Sequence, residues 1–594
     1  MEYLFACAIG PVQDFINTAR RSRDLWFGSW MLSELSKAVV KELVEHVGEE
    51  KLIFPSPQGL ADLQAGSNFN APNKVLAIIN TDPNEIGKAL QEALDARLKV
   101  MREKAFAKIP KDDPFFYRKQ AEKQLEDLIE FYWSAVPYQG IGSYISNRKT
   151  VEALLAIRKN TRNFSQCLGA EVPKSSLDGN RESVIDEKRY PERNDRKETR
   201  LKKAQGLYQY YKARPGERLS GVDILKRMGE PEGEKPPVFH STSHYAAIPF
   251  IEMIENRFDK GASKELLDKI YKSYKQKNWI VSDIPEDGAL LYESRLSDTI
   301  PAGEEQNELR KEIKEILDER VGKIRPSAYY VLLRADGDSM GKIIDVQKSP
   351  EIHRNLSKKV SEFSLRVKEI VNKNEGNTIY AGGDDILAYL PLHKALGCAK
   401  ELEEVFRNEI NETEFFYIDP KSNKKIPPTL SVGIVIAHHL DPLSDILELS
   451  HTAEKEAKKI NGKNGLTIIL SKRSGVERMV KGKFQPFCSR MEKLIEYQRS
   501  KTISKGTAYE FQELYQELGG IENFEDVINK EAARILTRKR TSGNENMVDK
   551  NVIDQFEQWI EEDKGNPQEI ALEMIIANEF AKAYDLACGK GQEG

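Results

Sequence analysis

Short apolar runs alternate with longer stretches of helical periodicity along this chain. Residues 3–9 are apolar throughout and read as a buried strand that ends at Gly10-Pro11. Apolar residues then recur at Phe15, Ile16 and Ala19, the spacing of a helix face. A second helical pattern covers 31–44, strand-like runs cover 51–54 and 74–79, and 83–133 is mostly helical and rich in Ala, Leu, Lys and Glu. Mixed strands and helices in this order predict an α+β unit. Residues 186–203 are densely charged and read as a solvated loop, with an RNA-facing arm as the alternative. From 221 to 325 the pattern is mainly helical, broken at Pro231 and Pro285.

The clearest pattern starts at Pro326. Residues 329–334 (YYVLLR) predict a strand, and 353–372 an amphipathic helix. In 377–390 two apolar runs flank Gly-Gly-Asp-Asp, a hairpin signal. A helix to about Asn408, a buried strand at 430–437, a helix at 442–460 and a strand at 466–470 complete a βαββαβαβ order. That order predicts a ferredoxin-like antiparallel sheet with helices on one face. From Ser474 onward the pattern is helical.

Composition narrows the class. The 594 residues suffice for three to five domains, and 39% apolar content supplies several cores. Mean hydropathy is −0.57, and no apolar run approaches the roughly 20 residues that span a bilayer. The net charge of −4 (90 Lys+Arg, 94 Asp+Glu) excludes a uniformly basic surface but leaves room for a local basic groove. Cys7, Cys167, Cys398, Cys488 and Cys588 are widely spaced and form no Cys-x-x-Cys half-site, which fits a reducing cytoplasm.

Four carboxylates carry the strongest chemistry. Asp336 and Asp338 end one predicted strand, and Asp384 and Asp385 sit in the hairpin of its neighbour. Converging carboxylates stay ionised only beside a cation, and hard oxygen ligands favour Mg²⁺ or Mn²⁺. Two such ions about 4 Å apart would activate a hydroxyl and stabilise a leaving pyrophosphate. Gly382 and Gly383 have no Cβ, so a nucleotide can approach the hairpin backbone. A calcium loop at Asp336 is disfavoured because Gln347 stands at its twelfth position, and a Walker loop because 337–342 is too short.

LLRADGDSMGKII, YAGGDDILAYLP, LSVGIVIAHH and AEKEAKKINGKNG resemble the palm of GGDEF-type nucleotide cyclases and polymerases. That resemblance implies metal binding by Asp336 and Asp384, and triphosphate contact from the Lys458 and Lys463 segment, whose spacing is one residue longer than usual. A second resemblance covers nearly the whole chain. GPVQDFINTARRSRDLWFGSW, IFPSP, APNKVLAI, GERLSGVDILKRM and FHSTSHYAAIPF are similar to the large subunit of type III CRISPR effector complexes, nearest the Cmr (III-B) branch.

The resemblance implies two palm-like domains with a helical domain after each: a first palm at 1–165, a mainly helical domain at 166–325, a catalytic palm at 326–475 and a C-terminal helical domain at 476–594. It implies a cytoplasmic nucleotidyltransferase that, when target RNA pairs with guide RNA, converts ATP to cyclic oligoadenylate. Its partners would be both RNAs, other Cmr subunits including the small helical subunit, and ATP, with no membrane. Asp336, Asp384 and Asp385 would be catalytic and Asp338 a further metal ligand. Gly382, Gly383, Lys458, Lys463, Gly10 and Gln13 would bind nucleotide, the last two at a helix start able to hold phosphate.

Adenylation of a small acceptor such as S-adenosylmethionine and a silent scaffold are the alternatives. A free-standing diguanylate cyclase is disfavoured by Ile386 after the acidic pair. Two departures from the family stand out. No His is followed by Asp, so an HD-type nuclease is not expected; and Ser175, Ser176, Asp178 and Ser220 stand in the zinc-knuckle region, so no zinc is expected. A basic run at 534–540 suits contacts to an RNA backbone.

Overall fold

The structure, a computed structural model, describes residues 1–161, 171–232, 238–276, 285–298, 300, 303–410, 415–473, 475–518, 525–538, 548–562 and 566–590. It is α+β and holds two sheets of the same topology. In the first, β1 (Tyr3–Gly10), β2 (Leu52–Phe54), β3 (Lys74–Ile79) and β4 (Glu130–Pro137) lie in the order β2-β3-β1-β4, all antiparallel. The second contains β5 (Tyr329–Asp338), β6 (Asn377–Gly382) and β7 (Asp385–Pro391). A two-stranded hairpin of β8 (Tyr417–Ile418) and β9 (Lys425–Ile426) stands apart, and β10 (Thr429–His438), β11 (Gly465–Leu470) and β12 (Arg478–Lys483) follow. The second sheet runs β12-β11-β10-β5-β7-β6. Its β6-β7-β5-β10 portion repeats the order of the first sheet, with a parallel β10–β11 pair and β12 added beyond it.

Continuous apolar strands follow from helices covering both faces. In β1, Phe5, Cys7 and Ile9 face the helices Ser22–Val47 and Pro83–Phe106, while Leu4, Ala6 and Ala8 face the helix Tyr144–Asn160. In β5, Val331, Leu333 and Ala335 pack in a core with the helices Pro350–Lys373 and Leu392–Ile410 and the C-terminal helices. Tyr330 and Leu332 point the other way, into a core shared with the first palm and the helix Thr242–Arg257. Helices therefore cover both faces of the second sheet, not the single face expected, and β11 is parallel to β10.

Four strands were not legible as such. The stretch 83–133 was expected to be mostly helical, yet its last residues open β4. Phe131, Tyr132 and Trp133 favour a strand, and pairing to β1 decides the matter. The segment after Ser474 was expected to be helical, yet it opens with β12, whose Val480 is buried against β11. The β8–β9 hairpin is too short to leave a periodic signal.

The palms dock reciprocally. The first long helix of each, Ser22–Val47 and Pro350–Lys373, abuts the edge strand of the other, β6 and β2 respectively. Arg354 Nε donates to the Leu52 carbonyl at 2.7 Å, and Lys368 Nζ to the Asn68 carbonyl at 2.9 Å. Asn70 Nδ2 donates at 2.8 Å to the carbonyl of Ala381, next to the Gly-Gly-Asp-Asp turn. In the region of the zinc-knuckle resemblance, the hydroxyls of Ser175 and Ser220 both donate to Asp223 Oδ2 at 2.7 Å, in a buried cluster. Hydrogen bonds, and not packing alone, hold this region.

Buried histidines sit at these junctions. The Tyr144 hydroxyl lies 2.7 Å from His353 Nδ1 across the two palms, and Ser243 Oγ lies 2.8 Å from His439 Nδ1. Burial, reinforced by Arg148 beside His353 and Arg295 beside His439, pushes each down to about 3. An unfolded histidine takes up its proton near pH 6.5, whereas these stay neutral until far lower. The unfolded chain therefore binds more protons as pH falls through that window, and stability drops by about 1.4 kcal/mol per pH unit for each histidine. Melting curves between about pH 7.5 and about pH 5 should show this loss, and His353→Gln should flatten it.

Candidate active site

The acidic residues are brought to one end of the second sheet. Arg334, Asp336 and Asp338 alternate along β5 and share a face. Gly382 pairs with Asp385, so Gly383 and Asp384 form a two-residue turn, and Gly383 has φ +85°, a conformation open to glycine. Because β7 pairs directly with β5, this turn stands over Gly337. A Cβ at Gly337 would lie 2.6 Å from Asp384 Oδ2 and 2.8 Å from its Cβ. Gly337→Ala should therefore displace Asp384 and weaken Mn²⁺ binding at least about tenfold, as isothermal titration of the full chain would measure.

The carboxylates are under electrostatic stress. Burial, then the facing Asp336, pushes Asp384 up to about 8. Burial raises Asp385 to about 6 against the pull of Arg334. Burial also raises Asp336, opposed by Lys458, whose ammonium contacts Asp336 Oδ2 and lies 2.7 Å from Glu454 Oε1. Glu454 in turn faces Arg334 Nε at 3.5 Å. A cation would relieve the repulsion between Asp336 and Asp384, so the oxygen-only donor set fits Mg²⁺ or Mn²⁺.

Asp338 is differently placed. It is 2% exposed, and its Oδ2 accepts from Thr429 Oγ1 at 2.7 Å, Ser431 Oγ at 2.8 Å and the Asn464 amide at 2.9 Å. Its Oδ1 is buried without a partner among the described residues. Asp338 thus ties the start of β10 to the turn after the helix Leu443–Lys458. In that turn Gly462, Lys463 and Asn464 all have positive φ. Lys458 reaches the acidic pair, and Lys463 lies in the adjoining turn, where its carbonyl accepts from Lys483 Nζ.

Gly10 and Gln13 lie at the corresponding end of the first sheet, at the close of β1 and the start of the short helix Gln13–Asn17. That helix stops before Arg20, Arg21 and Arg23. Arg21 donates to the Lys212 carbonyl at the end of the helix Lys197–Tyr211, and Arg23 to the carbonyls of Lys226, Arg227 and Gly229 at the end of the helix Gly221–Met228, so both brace the first palm against the following helical region. In the basic run, Arg534 pairs with Glu531 on its own helix, while Lys539 and Arg540 lie outside the described residues. Sequence reasoning missed Glu454, Arg334 and Tyr380, whose hydroxyl lies 3.4 Å from Asp385 Oδ1. The Glu454–Lys458 spacing of four on one helix, and Arg334 two residues before Asp336, were the available signals.

Comparison with known proteins bears on this site directly. The family described as "Cas10/Cmr2, second palm domain" matches residues 329–467, which contain all four aspartates. "CRISPR-associated protein Cmr2, N-terminal" matches residues 4–129. The chain thus carries a segment matching the Cas10/Cmr2 second palm and another matching the Cmr2 N-terminal region. Similar relatives include "CRISPR system Cmr subunit Cmr2" of Pyrococcus furiosus, 26% identical over 558 residues, covering 80% of this chain and 62% of that protein. The Cmr2 subunit of Saccharolobus solfataricus is 30% identical over 161 residues, 26% of this chain and 15% of that protein. The chain thus spans about three fifths of the first relative's length. Among solved structures, a chain of the apo type III-B Cmr-beta complex matches with a TM-score of 0.65 at 15% identity, covering 92% of this chain and 78% of that one. The same complex bound to cognate target RNA matches with a TM-score of 0.61 at 15% identity, covering 92% and 79%. At that identity the likeness establishes the shared fold. Among the described residues no helix is long and apolar enough to cross a membrane.

Proposed function

We propose that this chain is the nucleotidyltransferase subunit of a type III-B effector complex, active when target RNA pairs with guide RNA, and that it makes cyclic oligoadenylate from ATP. The observation that carries the reading is the approach of the Asp384 turn to Asp336 over Gly337, with Lys458 beside them, inside a matched palm domain. In the reaction a ribose hydroxyl of one adenosine attacks the α-phosphorus of another ATP. A phosphodiester P–O bond forms, the bond to the bridging oxygen breaks, pyrophosphate leaves and the hydroxyl loses its proton.

Asp336 and Asp384 would hold Mg²⁺ or Mn²⁺, with Asp385 supporting and Asp338, whose buried Oδ1 has no partner among the described residues, as a further ligand. When bound, the cations supply charge that acidifies the hydroxyl and stabilises the leaving pyrophosphate. The chain's own part is positional. Lys458, held to Asp336 and Glu454, fixes a positive charge beside the acidic pair for the triphosphate. Asp338 holds the Lys463 turn in place. Gly382, exposed at the end of β6, and Gly383 leave the hairpin backbone open to a nucleotide, and Gly10 and Gln13 offer the opposing side. The partners on this reading are guide RNA, target RNA and the other Cmr subunits, in the cytoplasm.

The test is reconstitution with the partner subunits and guide RNA, then ATP, Mg²⁺ or Mn²⁺ and complementary target, with products identified by mass spectrometry. Cyclic oligoadenylate formed only with target RNA is the expected result. An adenylated S-adenosylmethionine would replace the product assignment. Product from GTP without RNA, or none under any condition, would overturn the reading in favour of a cyclase or a scaffold.

A further inference from the structure

A second group of metal-type ligands lies at the opposite end of β7 from the acidic turn, about 20 Å away at strand rise. Glu252 comes from the helix Thr242–Arg257, Glu375 from the turn after the helix Pro350–Lys373, and His393 is the second residue of the helix Leu392–Ile410. One donor atom from each falls within a set whose members all lie within 4.8 Å of one another. His393 is 2% exposed, its Nε2 is 2.8 Å from Glu252 Oε2, and its Nδ1 has no partner among the described residues. Its ring packs edge-to-face with Tyr584 of the helix Pro567–Ala587, at 5.8 Å between centroids. Glu375 is exposed, so solvent can reach the group and complete a coordination shell.

We propose that Glu252, Glu375 and His393 form a binding site for one first-row divalent cation, of the Zn²⁺ or Mn²⁺ class, that clamps the helical segment around Thr242–Arg257 to the second palm. Two carboxylates and one imidazole are a borderline donor set suited to these ions. Bond lengths of about 2.0–2.2 Å place donors roughly 3.3–3.6 Å apart in a tetrahedral shell, so side chains whose donors now lie as much as 4.8 Å apart would close in around the ion. A positive charge already occupies the neighbourhood. Lys394 Nζ lies 3.2 Å from Glu252 Oε1 and 3.7 Å from Glu375 Oε2, much as Lys458 contacts the acidic pair of the palm. A flexible ammonium is a monovalent stand-in that a divalent ion would displace.

The inference is independent of the proposed activity, and its test removes the palm site first. The full-length D336N/D384N chain, stripped with chelator, is titrated with Zn²⁺ and separately with Mn²⁺ by calorimetry, and its melting temperature is followed. One ion per chain, accompanied by a rise in melting temperature, is expected. Glu375→Gln, an exposed and conservative change, and His393→Gln should each weaken binding at least about tenfold. Lys394→Met should tighten it at least about threefold, because the competing charge is gone. If Lys394 were the only cation this group holds, Lys394→Met would not tighten binding. That result, no saturable one-ion binding, or binding indifferent to Glu375→Gln and His393→Gln, would overturn the proposal.

Discussion

Asp384→Asn should reduce oligoadenylate synthesis by at least about a thousandfold while the protein folds as well as before. The two expectations have one cause. Asp384 faces Asp336 in a half-buried turn, and burial with that neighbour raises its carboxyl to about 8. Its ionised form is therefore costly to the fold unless a cation is present. Asparagine keeps the shape and removes the charge, so melting temperature should hold or rise while Mn²⁺ affinity collapses. Asp338→Asn should behave differently. Its Oδ2 accepts three hydrogen bonds, so substitution should lower stability as well as activity. Parallel melting curves and product assays on the reconstituted complex separate the two. Equal activity in Asp384→Asn and the unsubstituted chain would exclude the palm site.

The largest stability effect is expected at Arg227→Met. Arg227 is 4% exposed and holds two buried carboxylates, Asp24 Oδ2 at 2.8 Å and Glu217 Oε2 at 2.7 Å. Burial alone would raise Glu217, but Arg227 and Arg21 outweigh it and hold its carboxyl at about 2. Removing the guanidinium leaves Asp24 buried without its ion pair and Glu217 with Arg21 alone, at 3.4 Å, a loss of about 3–5 kcal/mol. The damage should reach the first palm, because Asp24 belongs to the helix Ser22–Val47, which abuts β6. Arg227→Lys should recover only part of it, since an ammonium cannot fork to both carboxylates. Urea denaturation read by tryptophan fluorescence would report both, through Trp26 and Trp30 on that helix.

Much of the second palm was legible because its residues agree at every level. YYVLLR and LSVGIVIA can only be buried strands, and the Gly-Gly-Asp-Asp turn both closes a hairpin and carries the chemistry. The acidic residues could be read because their spacing is local to strand ends. Asp338 could not be divided from Asp336 in sequence, since its three donors come from residues 91 or more positions away. The bracing role of Arg21 and Arg23 was hidden for the same reason: the carbonyls they serve lie about 190 to 206 residues later in the chain. β4 and β12 were hidden because strand formation there is decided by the neighbouring strand and not by an alternating pattern.

The reciprocal docking of the palms has one more consequence. Counted from Tyr3 and Tyr329, Gly10 and Asp336 are each the eighth residue of matching strands. Where the second palm has its two-residue acidic turn, the first has the whole segment 55–73, from which Asn70 reaches across to Ala381. The two sheet ends are thus alike in backbone and unlike in charge. On the proposed function, nucleotides bound at the two ends would not be interchangeable: the one beside the aspartates would have its triphosphate cleaved, and its companion would serve as acceptor. Chain growth would then have a built-in direction, set by which end carries the carboxylates.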